Sequence, residues 1–197
     1  MIAIVDYGAG NLASVARAFT AAGARVTVTR SAADLVGARA VVIPGVGHFR
    51  STSVIAGEMR TALAEAARNK PVLGICLGLQ FLFDGSDESP DCAGLALVAG
   101  RVTSLAASAS AKVPHVGWNT LVELRTSRLL NGIAPGTPFY FTHSYAAPVT
   151  SVCAARTDYT VPFAAVVEAE NVFGTQFHPE KSGSAGLQVI RNFLDVV

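Results

Sequence analysis

The sequence predicts an α/β protein with a mixed, mostly parallel central sheet, flanked by helices and extended by antiparallel strands. Three observations lead to it. In the first half, short apolar runs alternate with segments of helical periodicity, the pattern of βαβ units and of a sheet covered on both faces. In the second half, strand-like runs follow one another across short turns, with no helix between them. Between the halves, a glycine-flanked cysteine turn joins an apolar strand to a helix.

Taken in order, Ile2–Val5 reads as the first strand. Asn11 caps a helix in which Leu12, Val15, Ala16 and Phe19 recur at helical spacing, and Gly23 stops it. Ala24–Thr29 and Ala40–Ile43 are the next strands, the latter running into Pro44-Gly45-Val46-Gly47. Glu58–Asn69 is an alanine-rich helix, followed by the Val72 strand and a helix over Leu77–Phe83. Val98–Leu105, Thr120–Leu124, Phe139–Tyr145, Ser151–Arg156, Phe163–Glu168 and Asn171–Phe177 read as strands, the last two as a hairpin about Ala169-Glu170. Leu187, Ile190 and Leu194 line one face of a closing helix. No repeat or linker stands out, and the only low-complexity tract is Ala106–Ala111, so one domain over 1–197 is expected.

Composition excludes several functions. The net charge is +1 and charged residues make up 15% of the chain, so there is no basic field for nucleic acid. No uninterrupted apolar run is long enough to cross a bilayer. Met1–Asp6 reads as a strand start and lacks the basic region of a signal peptide. Three cysteines, Cys76, Cys92 and Cys153, form an odd set without metal-type spacing, and a reducing, cytoplasmic setting is expected.

Cys76 carries the most chemistry. Gly74-Ile75-Cys76-Leu77-Gly78 is the cysteine form of a nucleophile elbow, in which the side chain sits on a sharp strand-to-helix turn. Glycines on either side allow the bend and leave room for another backbone. The helix start directs N–H groups toward the sulfur and favours its thiolate, the nucleophilic form. A cysteine among apolar residues is more often a small buried hydrophobe; the symmetric glycines and the strand-to-helix setting favour the nucleophile.

His178-Pro179-Glu180 follows the last strand. Pro179 biases His178 toward an extended conformation, where residues two apart share a side, so Glu180 is placed to accept from one ring nitrogen while the other faces Cys76. Alone, His-Pro-Glu is an ordinary surface turn. Among four histidines the rivals are His48 (exposed, without a role), His115 (packing) and His143 (a strand end that lines the site). Pro44–Gly47 is either a strand-ending turn or a loop that aims an N–H at a developing oxyanion together with the N–H of Leu77. Both this loop and Cys76 fall at the carboxyl edge of the sheet, where α/β proteins bind ligands. Asp6–Asn11 lacks the third glycine of a dinucleotide loop.

The elbow, the glycine loop and His-x-Glu, in this order, resemble the class I (triad-type) glutamine amidotransferase family. Asp6-Tyr7-Gly8-Ala9-Gly10-Asn11-Leu12, Pro114-His115-Val116-Gly117-Trp118-Asn119, His143-Ser144-Tyr145 and Lys181-Ser182-Gly183 extend the likeness over nearly the whole chain, to the branch that serves histidine biosynthesis. The resemblance implies that family's single-domain fold, glutamine as substrate, and Cys76, His178 and Glu180 as nucleophile, base and orienter. It implies oxyanion donors among Gly45, Val46, Gly47 and Leu77, and substrate contacts from Gln80, Ser144 and Tyr145. It implies no metal or organic cofactor, and a separate (βα)8-barrel cyclase subunit that forms a heterodimer with the chain and receives its ammonia. Trp118 and Lys181 are the candidates for the partner-facing surface. A glutaminase subunit of pyridoxal phosphate synthesis, a non-catalytic regulatory subunit and a free-standing cysteine amidase remain as alternatives.

Overall fold

In the computed structural model, residues 1–108, 111–122 and 124–197 are described. Part of the Ala106–Ala111 tract and of the expected Thr120–Leu124 strand therefore lies outside the described residues. The first half contains β1 (Ile2–Val5), α1 (Leu12–Ala21), β2 (Val26–Thr29), α2 (Ala32–Gly37), β3 (Ala40–Ile43), a 3-10 turn (Phe49–Val54), α3 (Gly57–Asn69), β4 (Val72–Ile75) and α4 (Leu77–Leu82). The second half contains β5 (Gly85–Ser86), β6 (Ser89–Ala93), β7 (Arg101–Ser104), β8 (His115–Thr120), β9 (Pro138–His143), β10 (Tyr145–Ala146), β11 (Cys153–Asp158), β12 (Pro162–Ala169) and β13 (Val172–Thr175). It closes with a 3-10 turn (Pro179–Lys181) and α5 (Gly183–Asp195).

Among the described residues the central sheet has seven strands in the order β11-β12-β13-β4-β3-β1-β2. The run from β13 to β2 is parallel, and β12 and β11 add antiparallel strands at one edge. Alternation in β1 feeds two cores: Ile2 and Ile4 pack with Phe19 of α1 and Phe193 of α5, Ala3 and Val5 with Leu35 and Leu63 across the sheet. The mixed α/β architecture read from the sequence is the one observed. Asn11 caps α1 through its side chain, which accepts from the Ser14 N–H at 3.2 Å. The β12–β13 hairpin turns at Glu170, whose φ is +51°.

Some elements differ from the sequence reading. α2 is a single short helix, too brief to show periodicity. The strand expected at Thr120–Leu124 lies earlier, as β8: the chain leaves the ladder after Thr120, and Val122 makes only an isolated bridge to Arg156. β8 pairs with β9 in a ribbon with Val116 and Trp118 exposed, so no apolar alternation marks it. On α5 the deeply buried face is Gly186, Val189, Ile190 and Phe193, one residue around from Leu187 and Leu194. No helix among the described residues is long and apolar enough to cross a membrane.

Two features of this frame position the site. The carboxyl ends of β3, β4 and β13 are adjacent, so the Pro44–Gly47 loop, the β4–α4 turn and His178 converge. α5 then lies on the Pro179–Lys181 turn so closely that a Cβ at Gly186 would stand 2.0 Å from the Pro179 carbonyl oxygen. Gly186→Ala is therefore expected to lift α5 off that turn and destabilise the protein by about 2 kcal/mol or more. Urea unfolding checks this, and an unchanged midpoint would contradict the packing.

Candidate active site

The β4–α4 turn is strained at its apex. Cys76 has φ +53° and ψ −105°, a conformation that L residues avoid and that costs about 1–3 kcal/mol. Its N–H donates to the Thr175 carbonyl at 2.7 Å, so the β4–β13 pairing continues one residue into the turn. The flanking glycines are required by close approach: a Cβ at Gly78 would lie 1.8 Å from the Ile43 carbonyl oxygen, and one at Gly74 would lie 2.5 Å from that of Gly78. The sulfur is thereby held at the carboxyl edge of the sheet with the residue only 5% exposed.

Beyond β13, the His178 N–H donates to the Tyr140 carbonyl at 2.9 Å, and Ser182 Oγ donates to the His178 carbonyl at 2.7 Å while accepting from the Tyr140 N–H at 3.0 Å. These bonds pin the segment to β9. His178 Nδ1 and Glu180 Oε1 are 2.8 Å apart, with side chains 1% and 2% exposed. The pair forms as expected by a different backbone route, because Glu180 sits in a 3-10 turn instead of an extended segment. A carboxylate can only accept, so Nδ1 carries the proton toward Glu180. Nε2 is buried, and among the described residues the Cys76 sulfur is the group that acts on it. Burial works against charge on His178, but the Cys76 sulfur and then Glu180 outweigh it and push the ring up to about 10.

The other buried histidines go the opposite way. His143 donates from Nδ1 to the Tyr145 carbonyl at 2.8 Å and faces His115 Nδ1 at 3.0 Å through Nε2. Burial dominates and lowers His143 to about 3 and His115 to about 4. His115 is packing, as expected, stacked between Phe141 and Tyr159. His48 is exposed and caps the 3-10 turn, accepting from the Arg50 N–H at 3.2 Å. Among the histidines only His178 combines burial with a raised value.

A cleft of about 280 Å³ opens beside the sulfur, walled by Gly47, Cys76, Leu77, Gln80, Ser144 and Tyr145, with Glu88, Pro114, Thr142 and His143. Gly47 and Leu77 face it together, whereas Gly45 is set back: a Cβ there would lie 2.3 Å from the Tyr7 hydroxyl and 2.7 Å from Leu77 Cβ. Val46 is half-buried between them. Gln80 Nε2 donates to the Tyr145 carbonyl at 2.8 Å and to Gln176 Oε1 at 3.3 Å. Two residues escaped the sequence reading. Glu88 brings a carboxylate to the cleft, its Oε2 accepting from the Phe49 N–H at 2.6 Å, and nothing in Asp87-Glu88-Ser89 marks it. Gln176 donates from Nε2 to the Cys76 sulfur at 3.6 Å, and the alternation of an extended chain, which puts it on the same side as His178, points to it.

Trp118 and Lys181 lie on one face next to this site. Trp118 is 58% exposed and meets Tyr140 edge-on at 6.1 Å, and Lys181 Nζ stands over the same ring at 5.6 Å.

The family described as Glutamine amidotransferase class-I matches residues 3–197. The chain is 50% identical to imidazole glycerol phosphate synthase subunit HisH of Methanothermobacter thermautotrophicus, over 100% of this chain and 99% of that protein. It is 46% identical to the subunit of the same name from Deinococcus radiodurans, over 98% and 92% of the two chains. A chain in the structure of PurLQS from Thermotoga maritima matches with a TM-score of 0.75 at 22% identity, covering 98% of this chain and 97% of that one. This last likeness is one of fold.

The raised value of His178 has a consequence for stability. Its folded-state value lies above its ordinary 6.5, so the stabilisation is complete below about 6.5 and is lost as pH rises through about 10. The stability difference between the native protein and His178→Gln, from urea unfolding, is expected to be largest near the low end of that window and to shrink toward its top. A difference that stays constant across the window would contradict a charged His178.

Proposed function

The chain belongs to the class-I glutamine amidotransferase family, and we propose that within it the chain is the glutaminase subunit of an imidazole glycerol phosphate synthase, acting in histidine biosynthesis. The observation that carries the catalytic part is a strained Cys76 beside a buried His178–Glu180 pair at a cleft of amino-acid size. Full-length identity to the HisH subunits supports the pathway.

Glutamine enters with its side-chain amide at Cys76. The thiolate attacks the amide carbon, and the tetrahedral oxygen is held by backbone N–H groups of Leu77 and of the Gly45-Val46-Gly47 loop. His178, oriented by Glu180, protonates the departing nitrogen, which leaves as ammonia. It then takes a proton from water, whose oxygen cleaves the glutamyl thioester, giving glutamate and restoring the thiolate. At the other end of the substrate, Gln80, Ser144 and Tyr145 position the amino-acid group, and the Glu88 carboxylate suits its ammonium. Every step uses groups of this chain, glutamine and water.

The whole chain works as one amidotransferase domain, and its product ammonia is passed to a cyclase subunit of (βα)8-barrel type in a heterodimer. There it is used to form imidazole glycerol phosphate and an aminoimidazole carboxamide ribotide. The face bearing Trp118 and Lys181 suits that partner, because an exposed tryptophan backed by a second aromatic ring is the composition of an interface anchor. Three cysteines, an odd set without metal-type spacing, fit a reducing, cytoplasmic setting.

Cys76→Ala removes only a sulfur atom, so it is expected to leave the fold intact and to lower glutamine hydrolysis on the order of a million-fold. Glutamate release and thermal melting check the two halves of this statement; residual hydrolysis near the native rate would overturn the nucleophile. Trp118→Ala is expected to weaken binding of the cyclase subunit about tenfold or more. Titration calorimetry of the two subunits checks it, and an unchanged affinity would remove Trp118 from the interface.

A further inference from the structure

We propose that Gln176 is a second hydrogen-bond donor to the Cys76 sulfur, which together with His178 holds it in its anionic form and fixes its aim. Gln176 is 0% exposed and lies at the end of β13, one residue beyond the Ile75–Thr175 pair. It is not part of the cleft wall, so it reaches the sulfur from within the protein.

The orientation of its amide is determined by a chain of groups that can act in only one sense. The Tyr145 carbonyl only accepts, so the Gln80 group bound to it at 2.8 Å is the donor Nε2. That same Nε2 donates to Gln176 at 3.3 Å, so the Gln176 atom there is the acceptor Oε1. The remaining end, Nε2, is then the one that meets the sulfur at 3.6 Å. Reversing the Gln176 amide would set donor against donor at Gln80 and acceptor against thiolate at Cys76.

An N–H donor discriminates between the two states of the sulfur. A neutral thiol is a weak acceptor, whereas a thiolate receives a charge-assisted bond. The competing contact, from Sγ to the Thr142 carbonyl at 3.8 Å, exists only while the sulfur keeps its proton. Gln176 therefore opposes Thr142 and favours the anion, adding its donor to the titratable groups that face the sulfur, His178 and the Tyr7 hydroxyl. The thiolate is both the attacking group and the group expelled when water cleaves the thioester, so one donor serves both half-reactions; this consequence rests on the glutaminase reading, while the hydrogen bond does not.

The test reads the sulfur directly, by iodoacetamide alkylation followed at Cys76 by mass spectrometry. Gln176→Leu is expected to slow alkylation at neutral pH about tenfold, the worth of one charge-assisted hydrogen bond, and Gln176→Glu, which keeps an acceptor for Gln80 but sets a carboxylate against the sulfur, is expected to slow it further. The deficit is expected to close near pH 10, where thiols ionise without help. In the otherwise native protein, the side-chain amide proton resonance of Gln176 is expected to move on Cys76→Ala, a readout that holds even if neither Gln176 variant folds. Native-like alkylation of a folded Gln176→Leu at neutral pH, or an amide resonance indifferent to Cys76→Ala, would overturn the proposal. A chain whose alkylation depends on Gln176 but that never hydrolyses glutamine would uphold it and remove the glutaminase reading instead.

Discussion

The parallel pairing of β4 with β13 sets Ile75 opposite Thr175, and the arrangement around the sulfur follows from that register. The Cys76 N–H extends the ladder one residue into the turn, which brings Gln176 alongside. His178 follows two residues later on the same side. Between them, Phe177 points the other way and stacks on Phe139 with ring centroids 4.1 Å apart. A slip of one residue would exchange these faces, bringing a phenyl ring to the sulfur and two polar side chains into the core. The aromatic packing that buries Phe177 is thus also what keeps Gln176 and His178 in place.

On this frame, burial acts differently on each polar group. His115 and His143 are buried against aromatic rings and each other, and are held neutral. His178 is buried just as deeply, yet it stands between a sulfur and a carboxylate and is driven to carry charge. One charged imidazole among neutral ones defines where a proton can be taken up and returned. The strain at Cys76 belongs to the same arrangement, since a turn tight enough to present the sulfur needs both the positive φ and the bare glycines that let α4 rest on the Ile43 carbonyl.

Much of this was legible in the sequence where a local rule and a global one agree. Gly74 and Gly78 announce a turn with no room for side chains, and the backbone contacts at 2.5 Å and 1.8 Å are the physical reason. The alternating strands and helices of the first half carry the parallel sheet, and the Ala169-Glu170 turn carries the hairpin. β8 was hidden because a two-stranded ribbon exposes Val116 and Trp118 on a face that a core strand would bury. α2 was hidden by its length. Glu88 left no local trace, because its place in the cleft depends on the Phe49 N–H, 39 residues away in the chain. Gln176 did leave one, in the extended-chain alternation that puts it on the same side as His178.

A chain that releases ammonia from glutamine for a cyclase subunit hydrolyses glutamine under that subunit's control. The most direct test is glutamate release by the purified chain, alone and with a histidine-pathway cyclase subunit and that subunit's nucleotide ligand. Strong hydrolysis in the full mixture, dependent on Cys76, with the nitrogen recovered in the imidazole product, is the expected result. Equal hydrolysis with and without the partner, with no nitrogen transferred, would contradict it and point to a free-standing amidase.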